Sequence, residues 1–245
     1  RVDAINQIAH NPKYPVTDNW NHLVQELIHH FETQFSQPVI AVGHSLGGVL
    51  SLLVALRRPD LVKALIILDS PVMPAWQAHG MRFLKLTRLN ERLFPIRRIE
   101  ERKTQWADFD DAREYFSGKS LMRNFDSRCL DDYIRSGTRE EDGVLKLTYD
   151  PQLEANIWRT DPQLKLTSDL RLSETQVEHL MRAVKCPVLS IRAESGLLPL
   201  KFFEHRMGYL QNVDSLQLPG HHHFHLEEET APAIADAILT FWKGL

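Results

Sequence analysis

Pro38-Val39-Ile40-Ala41-Val42-Gly43-His44-Ser45-Leu46-Gly47-Gly48-Val49-Leu50 is the stretch on which the fold turns. A β-branched apolar run stops at Gly43, and an apolar run of helical composition starts at Leu46. The pattern spells strand, sharp turn, helix, with a serine at the turn in strained backbone geometry. Gly43 and Gly47 carry no Cβ, so they are expected to let strand and helix approach closely around Ser45. The serine hydroxyl would then stand above the end of a sheet. The N–H of Leu46, at the helix N-terminus, would point at the place where an oxyanion forms.

Downstream, residues 63–68 form a second strand-like run, apolar from Ala64 onward, that ends in Asp69-Ser70-Pro71. Two such runs around a helix make a βαβ unit, and hence a parallel sheet buried on both faces. Upstream, Trp20, Leu23, Val24, Leu27, Ile28, Phe31 and Phe35 recur at three- and four-residue steps, an amphipathic helix that Thr17 or Asp18 can cap. His22, His29 and His30 lie among its polar positions and read as a solvated face. Residues 2–5 read as a short strand. Because the chain opens on Arg1 and enters a strand at once, it is expected to begin in mid-fold, with N-terminal strands missing.

Past Pro71 the texture changes. Residues 76–94, 108–116, 130–137 and 173–184 carry charged helical patterns, and Asp142-Gly143 marks a turn. The buried-strand pattern returns at 187–193. A helix at 202–210, a short strand at 214–218 and an amphipathic helix at 230–242 follow. The expected architecture is an α/β fold: a mostly parallel sheet flanked by helices, with a helical cap inserted. Its core is residues 1–71 and 185–245, and its cap is residues 72–184.

The chain has 245 residues, 43% of them hydrophobic, enough for one large domain or a core with an insertion. Its 29 basic and 32 acidic side chains nearly cancel, which argues against a nucleic-acid or membrane-surface protein. No apolar run approaches the roughly 20 residues of a membrane helix. Cys129 and Cys186, far apart in sequence, read as free thiols suited to a reducing cytosol, and a cytoplasmic location is expected.

A serine needs a base within hydrogen-bond reach, usually a histidine oriented by a carboxylate. The loop between the last strand and the last helix offers Leu218-Pro219-Gly220-His221-His222-His223-Phe224-His225-Leu226-Glu227. A metal site is set aside. Histidines at such short steps on one loop do not easily converge on one ion, and no cysteine or second carboxylate cluster supports them.

Gly43-His44-Ser45-Leu46-Gly47-Gly48, together with the late Gly-His loop, resembles the α/β-hydrolase superfamily over most of the chain. The nearest likeness is to capped serine hydrolases: serine hydrolase-like proteins, and enzymes that cleave carbon–carbon bonds in ring-fission products. Those families carry Gly-small-His-aromatic/His-x-His-x-Glu in the last loop. Laid on this chain, the pattern puts the Glu at Glu227, the trailing His at His225 and the base at His222, with His221 and His223 as fallbacks.

The acid departs from the common pattern. Where the superfamily has Gly-Glu-x-Asp, this chain has Ala193-Glu194-Ser195-Gly196, a glycine in place of the Asp. Some members, including certain capped dehalogenases, carry the acid after the strand that follows the nucleophile helix. That place is Asp69, which ends an apolar run where a charge needs a partner. Glu194 is the alternative acid, and a turn cap for Ser70-Pro71 is the bland reading of Asp69. The superfamily's second oxyanion donor follows an upstream His-Gly pair that this chain does not contain.

The resemblance implies a serine hydrolase that cleaves a small or medium carboxylic ester through an acyl-enzyme, with Ser45, His222 and Asp69 as triad and Leu46 as oxyanion donor. His44, Trp76, Trp106 and His223 are expected to line the pocket. The alternatives are carbon–carbon hydrolysis of a ring-fission diketone and a non-catalytic binding protein of the same fold. A haloalkane dehalogenase is excluded, because its nucleophile must be a carboxylate. No cofactor and no metal are expected. The partner is a small-molecule substrate, not nucleic acid or membrane, and a homodimer is admissible.

Overall fold

The structure is a computed structural model that describes residues 2–5, 7–15, 20–70, 99–159, 174–196 and 204–245. Strand β1 (Val39–His44) leads through Ser45 into helix α2 (Leu46–Arg57), and β2 (Val62–Leu68) follows. Helix α1 (Asn21–Gln34) precedes them and buries Leu23, Val24, Leu27 and Phe31, the stripe that its periodicity predicts. Strand β2 is buried at every position but Lys63, as a strand covered on both faces must be. Leu65 and Ile67 join a core cluster with α1 and α2, while Ile66 and Leu68 join a cluster on the opposite face.

The sheet is completed by β6 (Val188–Ser195) and β7 (Val213–His221), all parallel, in the order β1-β2-β6-β7. Helix α8 (Ala231–Lys243) closes the second face through Ile234. In register, His44 pairs with Leu68, Leu68 with Ile191 and Ser195 with His221. The carboxyl ends of the strands therefore open on one rim, where sheets of this kind bind ligands.

Two expectations change here. Residues 2–5 form no strand, and Val2 is 97% exposed. A strand needs a neighbour for its backbone groups, and none pairs with this segment among the described residues. Asp3 instead accepts from His30 Nε2 at 3.0 Å. The segment read as wholly helical also holds a three-stranded antiparallel sheet. Its strands are β3 (Gln105–Trp106), β4 (Thr138–Glu141) and β5 (Val144–Leu147), in the order β3-β5-β4. Asp142 and Gly143, with φ of 56° and 74°, turn the β4–β5 hairpin. Strands this short leave too little sequence for an alternating pattern to register.

Helices α3 (Phe109–Ser117) and α4 (Ser127–Gly137) pack on this sheet around Trp106, Ala112, Phe116, Leu130 and Ile134. Trp106, expected in the pocket, is 1% exposed and belongs to that core. An indole that large fills the centre of a small lobe with more gain than it would make at a rim. Helices α5 (Pro151–Arg159) and α6 (Glu174–Arg182) follow, and a short α7 (Glu204–Met207) lies between β6 and β7. Residues 71–98, the expected helix at 76–94 and Trp76 among them, lie outside the described residues. No helix among the described residues is long and apolar enough to cross a membrane.

Candidate active site

Ser45 sits between β1 and α2 with φ 51° and ψ −118°, a left-handed conformation that non-glycine residues rarely adopt. Its N–H is tied to Leu68 O at 3.0 Å, and its side chain makes no cap bond to α2. The strain persists because the surroundings fix it. A Cβ on Gly43 would meet the Gly47 carbonyl and the Gly48 nitrogen at 2.4 Å, and a Cβ on Gly48 would meet Ser70 Oγ at 2.0 Å. The expectation for Gly47 is corrected: nothing lies within 4 Å of a Cβ there. Gly48, one residue on, faces β2 and carries the close approach. Leu46 is the first residue of α2, so its N–H has no partner within the helix.

Asp69 directly follows β2. Its φ is 38°, its N–H donates to Ile191 O at 2.9 Å, and it is 1% exposed. The carboxylate only accepts, so the 2.6 Å contact between its Oδ2 and His222 Nδ1 is an N–H donated by the imidazole. Ala193 N–H adds a longer contact to Oδ1 at 3.4 Å. His222 therefore keeps its hydrogen on Nδ1 and leaves the Nε2 lone pair free.

The glycine that stands where the family pattern has an Asp now has a physical meaning. A Cβ on Gly196 would lie 2.6 Å from Asp69 Oδ1 and 2.8 Å from Oδ2. The Asp69 carboxylate fills the space that a side chain at 196 would enter. The bare Cα of Gly196 and the acid at 69 are complementary parts of one arrangement. Glu194, the alternative acid, is exposed near the end of β6.

The histidine loop is held from both sides. Gly220 has φ 106°, and a Cβ on it would meet Phe224 Cβ at 2.8 Å and Glu227 Oε2 at 2.9 Å. Glu227 Oε1 accepts the His221 N–H at 3.1 Å. His221, a fallback base, ends β7 and is exposed, with Nδ1 2.9 Å from Asn124 Nδ2. The inserted segment docks on this loop through Asn124, through the Asp126 N–H donating to Leu226 O at 2.8 Å, and through Phe125, whose ring lies 5.4 Å from that of His223. Phe125 is one of the aromatic residues that the sequence of the inserted segment offers for a pocket, whereas no local pattern marks Asn124.

His44, beside the serine, donates from Nε2 to the His222 carbonyl at 2.8 Å. Its ring centroid lies 4.5 Å from His222, 5.0 Å from His223 and 4.3 Å from His225. Burial first, and then the neighbouring imidazoles, push His44 down to about 2, and His223 and His225 down to about 4. These rings are neutral at physiological pH. The expectation that the loop histidines do not converge weighed the loop alone. His44 arrives from β1, and one donor nitrogen each from His44, His222 and His223 now lie within 4.8 Å of one another. A cavity of about 280 Å³ between the N-terminal segment and α1, lined by Ile8, Glu26, Leu27 and His30, shares no residue with this site.

A family model described as the alpha/beta hydrolase family matches residues 4–237. A serine hydrolase-like protein of Dictyostelium discoideum is 25% identical over 200 residues, 78% of this chain and 52% of that protein. A type I acyl-CoA thioesterase of Penicillium brevicompactum is 26% identical over 135 residues, covering 53% of this chain and 29% of that protein. The chain thus spans about half or less of the length of these relatives. Among solved structures, E-2-(acetamidomethylene)succinate hydrolase superposes with a TM-score of 0.69 at 21% identity, over 95% of this chain and 76% of that one. At that identity the likeness speaks for the fold.

Proposed function

The chain belongs to the alpha/beta hydrolase family, and on that premise we propose that it is a serine hydrolase that cleaves a small or medium carboxylic ester through an acyl-enzyme. The observation that carries the reading is the buried 2.6 Å bond from His222 Nδ1 to Asp69, on the same sheet rim as the strained Ser45. Asp69 fixes the tautomer of His222, whose Nε2 takes the proton of the Ser45 hydroxyl as Oγ attacks the acyl carbon. The Leu46 N–H accommodates the developing oxyanion. The imidazolium, steadied by Asp69, then returns the proton to the leaving alkoxide. A water molecule activated by the same nitrogen releases the acid and frees Ser45.

Residues 72–184 serve in this reading as a cap over the rim, because Asn124, Phe125 and Asp126 already touch the histidine loop. His44 and His223 wall the pocket beside the base. A thioester is the second acyl donor to consider, since one relative is named an acyl-CoA thioesterase. The leaving group changes while the three roles stay.

A fluorophosphonate probe tests the proposal. The chain is expected to be labelled at Ser45, with labelling abolished in Ser45→Ala and strongly slowed in His222→Ala. Ester and thioester panels then rank the acyl donors. An unlabelled, folded protein would overturn the reading in favour of a binding protein of the same fold.

A further inference from the structure

The histidines around the rim are more numerous than proton transfer requires. Serine chemistry uses one imidazole. Here His44 comes from the end of β1, and His222, His223 and His225 come from the loop after β7. The His222–His223 ring centroids are 4.8 Å apart, and both rings lie within 5.0 Å of His44.

Each ring has a nitrogen to spare. His44 donates through Nε2 to a carbonyl, which leaves Nδ1 with a lone pair. His222 donates through Nδ1 to Asp69, which leaves Nε2. His223 Nδ1 is buried without a partner among the described residues, and so is His225 Nδ1. An unpaired polar atom inside a protein costs free energy unless something satisfies it. Two of the rings are also held from behind, one by a carboxylate and one by a backbone carbonyl. These are the supports that orient histidines toward metal ions.

We propose that His44, His222 and His223 form a binding site for a divalent late transition-metal ion, zinc or copper by class, and that occupation of this site shuts off the serine. Three nitrogen donors select such ions over magnesium or calcium, which prefer oxygen. One ring nitrogen from each of the three histidines lies within 4.8 Å of the others, and tetrahedral zinc needs its donors about 3.4 Å apart. Coordination therefore requires the rings to draw together on the ion. The ion takes the Nε2 lone pair of His222, so the base can no longer accept the Ser45 proton. Binding is reversible coordination, and no bond within the protein is made or broken. The inhibitory consequence rests on the serine-hydrolase reading, whereas the binding itself does not.

The test separates the two. Calorimetric titration of the metal-free chain with zinc chloride is expected to give one site that magnesium does not contest. Binding should survive in Ser45→Ala, which lacks the nucleophile. His44→Asn and His223→Asn should each weaken zinc at least about tenfold, while His29→Asn on α1 should leave it unchanged. Zinc at about a hundred times its dissociation constant should slow fluorophosphonate labelling of the parent about a hundredfold, and a chelator should restore it. Cobalt loaded into the parent chain should shift the imidazole resonances of His44, His222 and His223, a readout that needs no variant to fold. Zinc binding that ignores both substitutions, cobalt shifts at other histidines, or zinc that speeds turnover would each overturn the assignment. Binding at this site in a chain that no fluorophosphonate labels would sink the serine reading alone.

Discussion

Two neighbouring strand ends of the same sheet invite comparison. At the end of β2 stands Asp69, buried and bonded to His222. At the end of β6, where related sequences place their acid, stand an exposed Glu194 and a bare Gly196. The strands are adjacent, and their ends are within side-chain reach of the same imidazole nitrogen. Either could carry a carboxylate to that point, but not both, because a Cβ at 196 would lie 2.6 Å from Asp69 Oδ1. In the proposed triad the role of the acid attaches to a position in space, and two chain positions compete for it.

The strongest way to break the comparison is Asp69→Asn. It keeps the shape but lets His222 take the wrong tautomer, and turnover should drop by about 10³ to 10⁴, as for other triads. Stopped-flow ester hydrolysis measures it, and an unchanged rate would remove Asp69 from the relay. Gly196→Ala comes next. The added methyl pushes on a buried carboxylate, and kcat should fall by about 10² for a displacement near 1 Å. The comparison is sharpened by moving the acid: Gly196→Asp in an Asp69→Gly background, which clears the space the carboxylate fills, should recover about tenfold over Asp69→Gly alone, by restoring general-base orientation. Failure to recover would mean that the β6 end does not reach His222.

Protonation gives a smaller effect. His223 and His225 sit at about 4 in the fold, against about 6.5 in the unfolded chain. Between those values the unfolded chain binds more protons, so stability is full above about pH 6.5 and falls as pH drops toward 4. The thermal midpoint, followed in chelator-containing buffer, should decline across that window, and less so in His225→Asn. Smallest of all is Glu194→Gln, which should leave turnover within about twofold, as expected of an exposed site without a catalytic partner.

The inserted lobe shows where legibility ended. Its helices α3 and α4 were readable because charged amphipathic stripes repeat over several turns, while its three short strands were not. Trp106 looked like a pocket residue only because aromatic side chains serve cores and rims alike. The close approach at Gly48 was likewise hidden, since Gly47 and Gly48 differ only in which of them faces β2.

The linear chain determined the strand-turn-helix around Ser45, the parallel α/β core and the loop that bears the histidines. Those features rest on local rules: period, glycine and the apolar run. Only the folded arrangement decided that Asp69 reaches His222 across the vacancy at Gly196, and that His44 joins the loop rings. Such contacts join residues more than a hundred positions apart. They depend on strand order and register, which no local pattern encodes.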